Sequence, residues 1–316
     1  MRYAQGMRPL ALASLIGLAS CASAASAPRT DPPALRVAGG DIEVAIADGH
    51  LDLSRAQLMA WISGSAGAVT AYFGRFPVPH YRILIEPVAG RSGVLSGTTW
   101  ADGGAHTRMM VGEHATTEDL ARDWVMTHEM VHTSFPDQPR SHSWIEEGIA
   151  TYVEPLARSW VGRYPAGKVW IDLVNGLPNG LPRDGDRGLD HTHTWGRTYW
   201  GGALFCLVAD LEIRDRSHGR FGLVDALRGI LAAGGNDQVD WPIERAFREG
   251  DKATGVPVLQ ELYGSMKDAP VAPDLDALWR SVGVAVTRGA LELDEQAPRA
   301  ASRRAISARA PAPVAP

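Results

Sequence analysis

The sequence is poor in cysteine. Cys21 and Cys206 are the only two in 316 residues, so a fold stapled by several disulfides is excluded. Cys206 lies in the apolar run Ala203–Val208 and reads as a small buried hydrophobe. Excess charge of one sign is also lacking. The net charge is −5, and no basic surface is concentrated enough to expect a nucleic-acid partner. The apolar run Leu10–Ala19 is too short to span a bilayer. No internal repeat is visible. What is present is an ordinary globular composition, 45% hydrophobic and 21% charged, in a chain long enough for one or two domains with a real core.

The two ends differ from the rest. Arg2 and Arg8 precede the apolar run, and Ser20 and Cys21 follow it, which is the layout of a secretory signal. Leu18-Ala19-Ser20-Cys21 resembles a bacterial lipobox. Residues 1–21 are therefore expected to be a lipoprotein signal peptide, with Cys21 lipidated as a membrane anchor in the cell envelope, facing the periplasm. Cleavage after Ala24 or Ala27, giving plain secretion, is the alternative. Residues 22–34 are rich in Ala, Ser and Pro and read as a flexible tether. Residues 296–316 hold four arginines and no acid, and this composition predicts a disordered tail.

Between these ends the chain changes character once. Asp41–Ala47 alternates like a strand, Ser54 can cap a helix running to about Phe73, and His80–Glu86 is a second strand bounded by Pro79 and Pro87. Gly97–Gly112 reads as two strands joined by a tight Asp102-Gly103-Gly104 turn. From Thr116 or Thr117 onward the patterns are helical. One helix is expected to run to about Ser134, a second over Trp144–Arg158, and a third, apolar nearly all round, over Trp195–Arg216. Shorter helices follow near 222–233, 242–250, 255–266 and 274–282. Strands first and helices after argue an α+β protein, with a mixed α/β lobe at 35–115 and a helical lobe at 116–290 meeting at a cleft.

The stretch Trp124–His132, WVMTHEMVH, carries the clearest chemistry. Positions i and i+4 share one helix face, so His128 and His132 can offer two imidazole nitrogens to one metal. Zinc accepts such ligands and keeps a position for water at a catalytic site. Glu129 stands where it can take a proton from that water. The flanking Trp124, Val125 and Val131 make the helix partly buried, and buried His and Glu need partners. A third ligand is required. Glu146 and Glu147 follow in WIEEGIATYVE, about 100° apart on a helix, so at most one faces the metal. Composition does not choose between them.

His128-Glu129-x-x-His132 followed by Trp144-x-x-Glu147-Gly148-x-Ala150 resembles the gluzincin metallopeptidases, the thermolysin-like group. The resemblance implies Glu147 as third zinc ligand, and makes 116–290 the zinc-metallopeptidase lobe of a two-lobe fold with the zinc site in the cleft. Glu154 matches an acid of the aminopeptidase branch, where it would support a ligating histidine; as a residue it reads equally as a helix-surface acid. Tyr199-Trp200-Gly201-Gly202 and the segment after it are similar to the glycyl aminopeptidase family. That similarity implies Tyr199 as a hydrogen-bond donor to the developing oxyanion. The segment Thr133–Glu146 is shorter than its counterpart in the aminopeptidase branch, so the loop with Pro136 and Pro139 must turn tightly. Gly103-Gly104-Ala105-His106 lacks the acid that grips a free amino terminus there. Together these imply Zn²⁺ and a peptide or protein substrate. His191 and His193 lie just upstream of Tyr199; in a loop of Gly, Asp and Thr they read as exposed bystanders.

Overall fold

The computed structural model describes residues 35–308. The expected signal peptide and tether, Cys21 and residues 309–316 of the expected tail lie outside the described residues.

The chain opens with β1 (Leu35–Val37) and β2 (Gly40–Ile46), which pair antiparallel. Helix α1 (Arg55–Phe73) follows. Ser54 caps it in a reciprocal box with Gln57, and Gly74 ends it at φ 80°. Strands β3 (His80–Val88), β4 (Val94–Trp100) and β5 (His106–Gly112) complete a five-stranded sheet in the order β1-β2-β3-β5-β4. The β2–β3 and β3–β5 pairs are parallel, and β4 runs antiparallel on β5 as the last strand. Gly103 and Gly104, at φ 72° and 102°, make the β4–β5 turn that the sequence predicts. Tyr81, Ile83 and Ile85 of β3 and Thr107, Met109 and Val111 of β5 form the buried face, on which α1 and its neighbours pack.

Helices dominate from Thr117 on. The helix expected to run unbroken to Ser134 is two: α2 (Thr117–Arg122) and α3 (Val125–His132). The break has a local cause. Asp123 is extended at ψ 137°, and its carboxylate accepts from the backbone N–H of Val125 (3.0 Å) and Met126 (3.1 Å), starting a new helix. The tight loop after His132 is held by Gln138, whose Nε2 donates to the carbonyls of Pro136 (3.0 Å) and Trp241 (2.9 Å). It leads into α4 (Ser143–Trp160). Then come α5 (Ala166–Gly176), a π-helical turn at Gly196–Gly201, and α6 (Gly202–Arg216). As its all-round apolar sequence predicts, α6 is buried nearly throughout. Helices α7 (Leu223–Ala232), α8 (Ile243–Thr254), α9 (Val258–Met266) and α10 (Leu275–Val282) follow the expected spans closely. Helix α1 packs on α3, α4 and α7, so strands and helices share one buried core.

The tail corrects the sequence reading. Strands β6 (Val284–Thr287) and β7 (Ala290–Leu293) form a hairpin, and α11 (Ala300–Ser307) packs back on the molecule. Within the expected disordered segment, residues 296–308 are ordered. Arg303 is only 2% exposed and donates to the carbonyls of Val282 (2.9 Å), Gly283 (2.8 Å) and Asp294 (3.0 Å). It also pairs with Glu295. Arg299 reaches Asp215 and Glu212, and the Ile306 carbonyl accepts from Trp160 Nε1 at 3.0 Å. Arg299 and Arg303, two of the arginines that argued for solvation, instead meet carbonyls and acids of the body.

Candidate active site

Helix α3 presents three polar residues from a largely apolar, buried element. Met126, Met130 and Val131 anchor it in the core, leaving His128 (5% exposed) and Glu129 (7% exposed) on the opposite side. His128 and His132 stack edge-on with ring centroids 4.9 Å apart. Across from them, α4 brings Glu147. Its Oε2 lies 3.2 Å from His128 Nε2 and 3.7 Å from His132 Nε2. Donor atoms of the three residues all lie within 4.8 Å of one another. Around a tetrahedral zinc with bonds of about 2.0–2.1 Å, neighbouring donors would stand about 3.3 Å apart. Two imidazoles and one carboxylate at this separation fit that ion.

The electrostatics agree with the geometry. Burial lowers the pKa of His132, favouring the neutral imidazole that a metal needs. Burial acts to raise Glu147, but the hydrogen bond from His128 and the charges of both histidines outweigh it and hold the carboxyl low. Its neighbour Glu146 is not part of that donor group and lies beside Asp137. Burial, with the charge of Asp137 beside it, pushes Glu146 up to about 8. The choice that composition left open between the two acids is thus made by the rotation of α4.

Glu129 faces β4. Its Oε2 accepts from Thr99 Oγ1 at 2.8 Å. Thr99, half-buried, is in turn 2.6 Å from the buried Thr107 Oγ1, which meets the Tyr81 hydroxyl, so a row of three hydroxyls ends on the carboxylate. Gly97 explains why the strand comes this close: a Cβ there would meet Glu129 Cγ at 2.5 Å. Burial holds Glu129 above its ordinary pKa, against the lowering effects of His132 and the Thr99 hydrogen bond. Thr99 and Gly97 were not singled out by the sequence; the only signal was their place in an alternating strand.

No family model matches the chain, and no curated protein matches it by sequence. Solved structures do match. An aminopeptidase N family protein from Idiomarina loihiensis superposes at a TM-score of 0.58 and 14% identity, over 80% of this chain and 49% of that one. Over that half of its length the two chains share a fold. Structures of an M1 zinc metallopeptidase from Deinococcus radiodurans also match, at a TM-score of 0.47 and 18% identity over 75% of this chain; one of them is a mutant bound to a Tyr-Ser-Ala substrate. The Idiomarina loihiensis match agrees with the fold that the gluzincin resemblance implies. The chain spans about half the length of the solved structures it matches.

Tyr199 enters from the π-helical turn. Its ring lies parallel to that of His128, centroids 6.3 Å apart at 17°, and its hydroxyl lies close to Glu147. Burial, then the charge of Glu147, pushes the phenol up to about 12, so it keeps its proton and remains a donor. The turn can sit this close because Gly148 and Gly202 touch backbone to backbone; a Cβ on Gly148 would collide with Gly202. The glycine after Glu147 therefore has a packing reason, as does Trp144, which packs on Phe205 and donates to Asp190 Oδ1 at 2.8 Å. Trp195 and Trp124, 63% and 51% exposed, flank Tyr199 and His128 at the mouth.

The remaining candidates lie apart. Glu154 is buried, and its carboxylate accepts from Arg158 Nη1 at 2.6 Å rather than from a histidine. His191 is exposed and paired with Asp268 at 2.7 Å, and His193 is exposed. Cys206 is buried, and burial raises its thiol pKa. The groups around the three donors open on a cavity of about 400 Å³ whose wall also includes Asp102, Asp137, Ser143, Glu146 and Asp237.

Proposed function

We propose that this chain is a zinc-dependent peptidase. His128, His132 and Glu147 would hold the ion. When bound there, zinc supplies a Lewis acid that polarises a carbonyl and makes water a nucleophile near neutral pH. Glu129 takes the proton of the attacking water, with its carboxylate held in place by Thr99, and passes that proton to the leaving amine. Tyr199 donates a hydrogen bond to the oxygen that gains negative charge as the carbonyl is attacked. Strand β4 ends the sheet, so a substrate backbone can add along its free edge beside Glu129. The N-terminal basic and apolar segments and the Leu18–Cys21 lipobox support an exported, lipid-anchored protein of a bacterial envelope.

The observation that carries this reading is the convergence of three zinc-type donors with a buried carboxylate beside them, on a fold shared with aminopeptidase N family proteins. The test is Glu129→Gln in purified protein. Zinc content should stay near about one ion per chain while peptide hydrolysis falls by at least about a thousandfold. A Glu129→Gln protein as active as the parent would sink the mechanism. Zinc binding without hydrolysis of any peptide by the parent would favour a peptide-binding envelope protein that retains the fold.

A further inference from the structure

The cavity beside the three donors has a second, chemically distinct wall. Asp137, Glu146 and Asp237 line it, with Asp102 beside them, and no lysine or arginine is among the described residues that do. They come from three separate parts of the chain, joined where Asp137 N–H donates to the Val239 carbonyl at 3.1 Å. Asp237 is the telling member. It is 6% exposed, and both carboxylate oxygens are buried without a hydrogen-bond partner. A buried carboxylate with nothing to accept from is costly to fold around. Other buried acids among the described residues do have partners: Asp210 has Arg214 and Tyr152, and Glu154 has Arg158.

We propose that Asp237, with Asp137 and Glu146, forms a subsite for a cationic substrate side chain of lysine or arginine type. This rests on the peptidase reading above and adds the substrate class to it. An organic cation suits the wall better than a metal ion. Among the described residues the only group whose ligand atoms converge tightly enough for a metal is His128, His132 and Glu147. A side chain suits it better than a free α-amine. That amine lies about 2.5 Å from the carbonyl carbon under attack, beside the donors of α3 and α4, whereas Asp137 and Asp237 come from the loops after α3 and α7. Burial and the charge of Asp137 push Asp237 up to about 7, a strain that a bound cation relieves.

The test measures binding, so that it does not depend on turnover. Zinc-loaded Glu129→Gln protein is titrated calorimetrically with N-acetyl-lysine amide, N-acetyl-arginine amide, N-acetyl-norleucine amide and norleucine amide. The two capped cationic probes should bind at least about tenfold more tightly than capped norleucine. Asp237→Asn should reduce that preference to within about threefold, and the exposed Asp137→Asn, which removes a charge without disturbing the core, should reduce it in part. Equal binding of capped lysine and capped norleucine overturns the proposal. So does a lysine preference that survives both substitutions, or a preference for uncapped norleucine amide that matches capped lysine. Hydrolysis by the parent protein is scored separately. A cation preference without hydrolysis fails the peptidase reading alone, and hydrolysis without a cation preference fails the subsite alone.

Discussion

Arg303 and His128 are both buried ionisable groups, and they are completed in opposite ways. Arg303, in the last helix, meets three backbone carbonyls and Glu295. Its hydrogen-bonding capacity is spent inside the protein. His128 and His132 aim their Nε2 atoms at one carboxylate oxygen of Glu147, at 3.2 and 3.7 Å. The three bring their ligand atoms to one point on the cavity wall, a donor set that suits zinc. Buried charge by itself marks neither structure nor function. The sign of a site is charge that the protein leaves incompletely paired.

The comparison breaks most sharply if the two regions respond alike to substitution. His132→Ala should lower peptide hydrolysis by at least about a thousandfold and reduce bound zinc well below one ion per chain. Metal removal with a chelator should have the same effect on activity. Neither should unfold the protein, because Met126, Met130, Trp144 and Ile149 pack α3 and α4 into the core independently of the ion. Near-ultraviolet circular dichroism of the stripped protein checks this; loss of the tertiary signal would mean that the site is a structural zinc and the comparison is wrong. Arg303→Ala should do the reverse. It orphans the carbonyls of Val282, Gly283 and Asp294 and should destabilise the fold by about 2–4 kcal/mol. Denaturant melts measure that loss, and kcat/KM at a temperature where the variant is folded should match the parent.

How far each region could be read from sequence follows from the same difference. The site histidines were legible because helical spacing puts them on one face of a helix; Glu147 was legible only through the resemblance of W-x-x-E-G to the gluzincins, since spacing left it level with Glu146. The tail was misread because composition counts an arginine as solvated, and nothing near Arg299 or Arg303 shows that Asp215, Glu212 and the end of α10 wait for them. The break at Asp123 had no glycine or proline to announce it; a side chain capping the next helix does so silently. Thr99, Asp137 and Asp237 went unnoticed for another reason. They reach the cavity from β4, the loop after α3 and the loop after α7, and only the folded chain brings these together.

A smaller effect should sharpen the account of Glu129. Thr99→Val keeps the shape of the side chain and removes the hydroxyl that donates to Glu129 Oε2 at 2.8 Å. It should lower kcat by about tenfold with zinc retained and KM little changed, since only the orientation of the base is loosened. Single-turnover and steady-state hydrolysis read this directly. An unchanged kcat would mean that Gly97 and the close approach of β4, rather than the hydroxyl row, position the carboxylate.

The finest test lies within α4, where Glu147 and Glu154 sit two turns apart and embody the same contrast. Glu147 is held low by histidines, whereas burial pushes Glu154 up to about 7 even though Arg158 donates to it. An acid whose pKa is higher folded than unfolded binds more protons in the native state. Its contribution to stability is therefore present below the unfolded pKa of about 4.3 and is lost as pH rises towards 7. Denaturant melts from pH 5 to 8 should show the parent losing on the order of 2–3 kcal/mol from this group over that window. Glu154→Gln keeps an acceptor for Arg158 and has no proton to lose, so its curve should be flatter over the same range. Equal slopes would show that Arg158 holds the pair fully ionised at every pH in that window. Glu154 would then be a closed ion pair like those of Arg303, and the gradation along α4 would reduce to one open carboxylate and one closed.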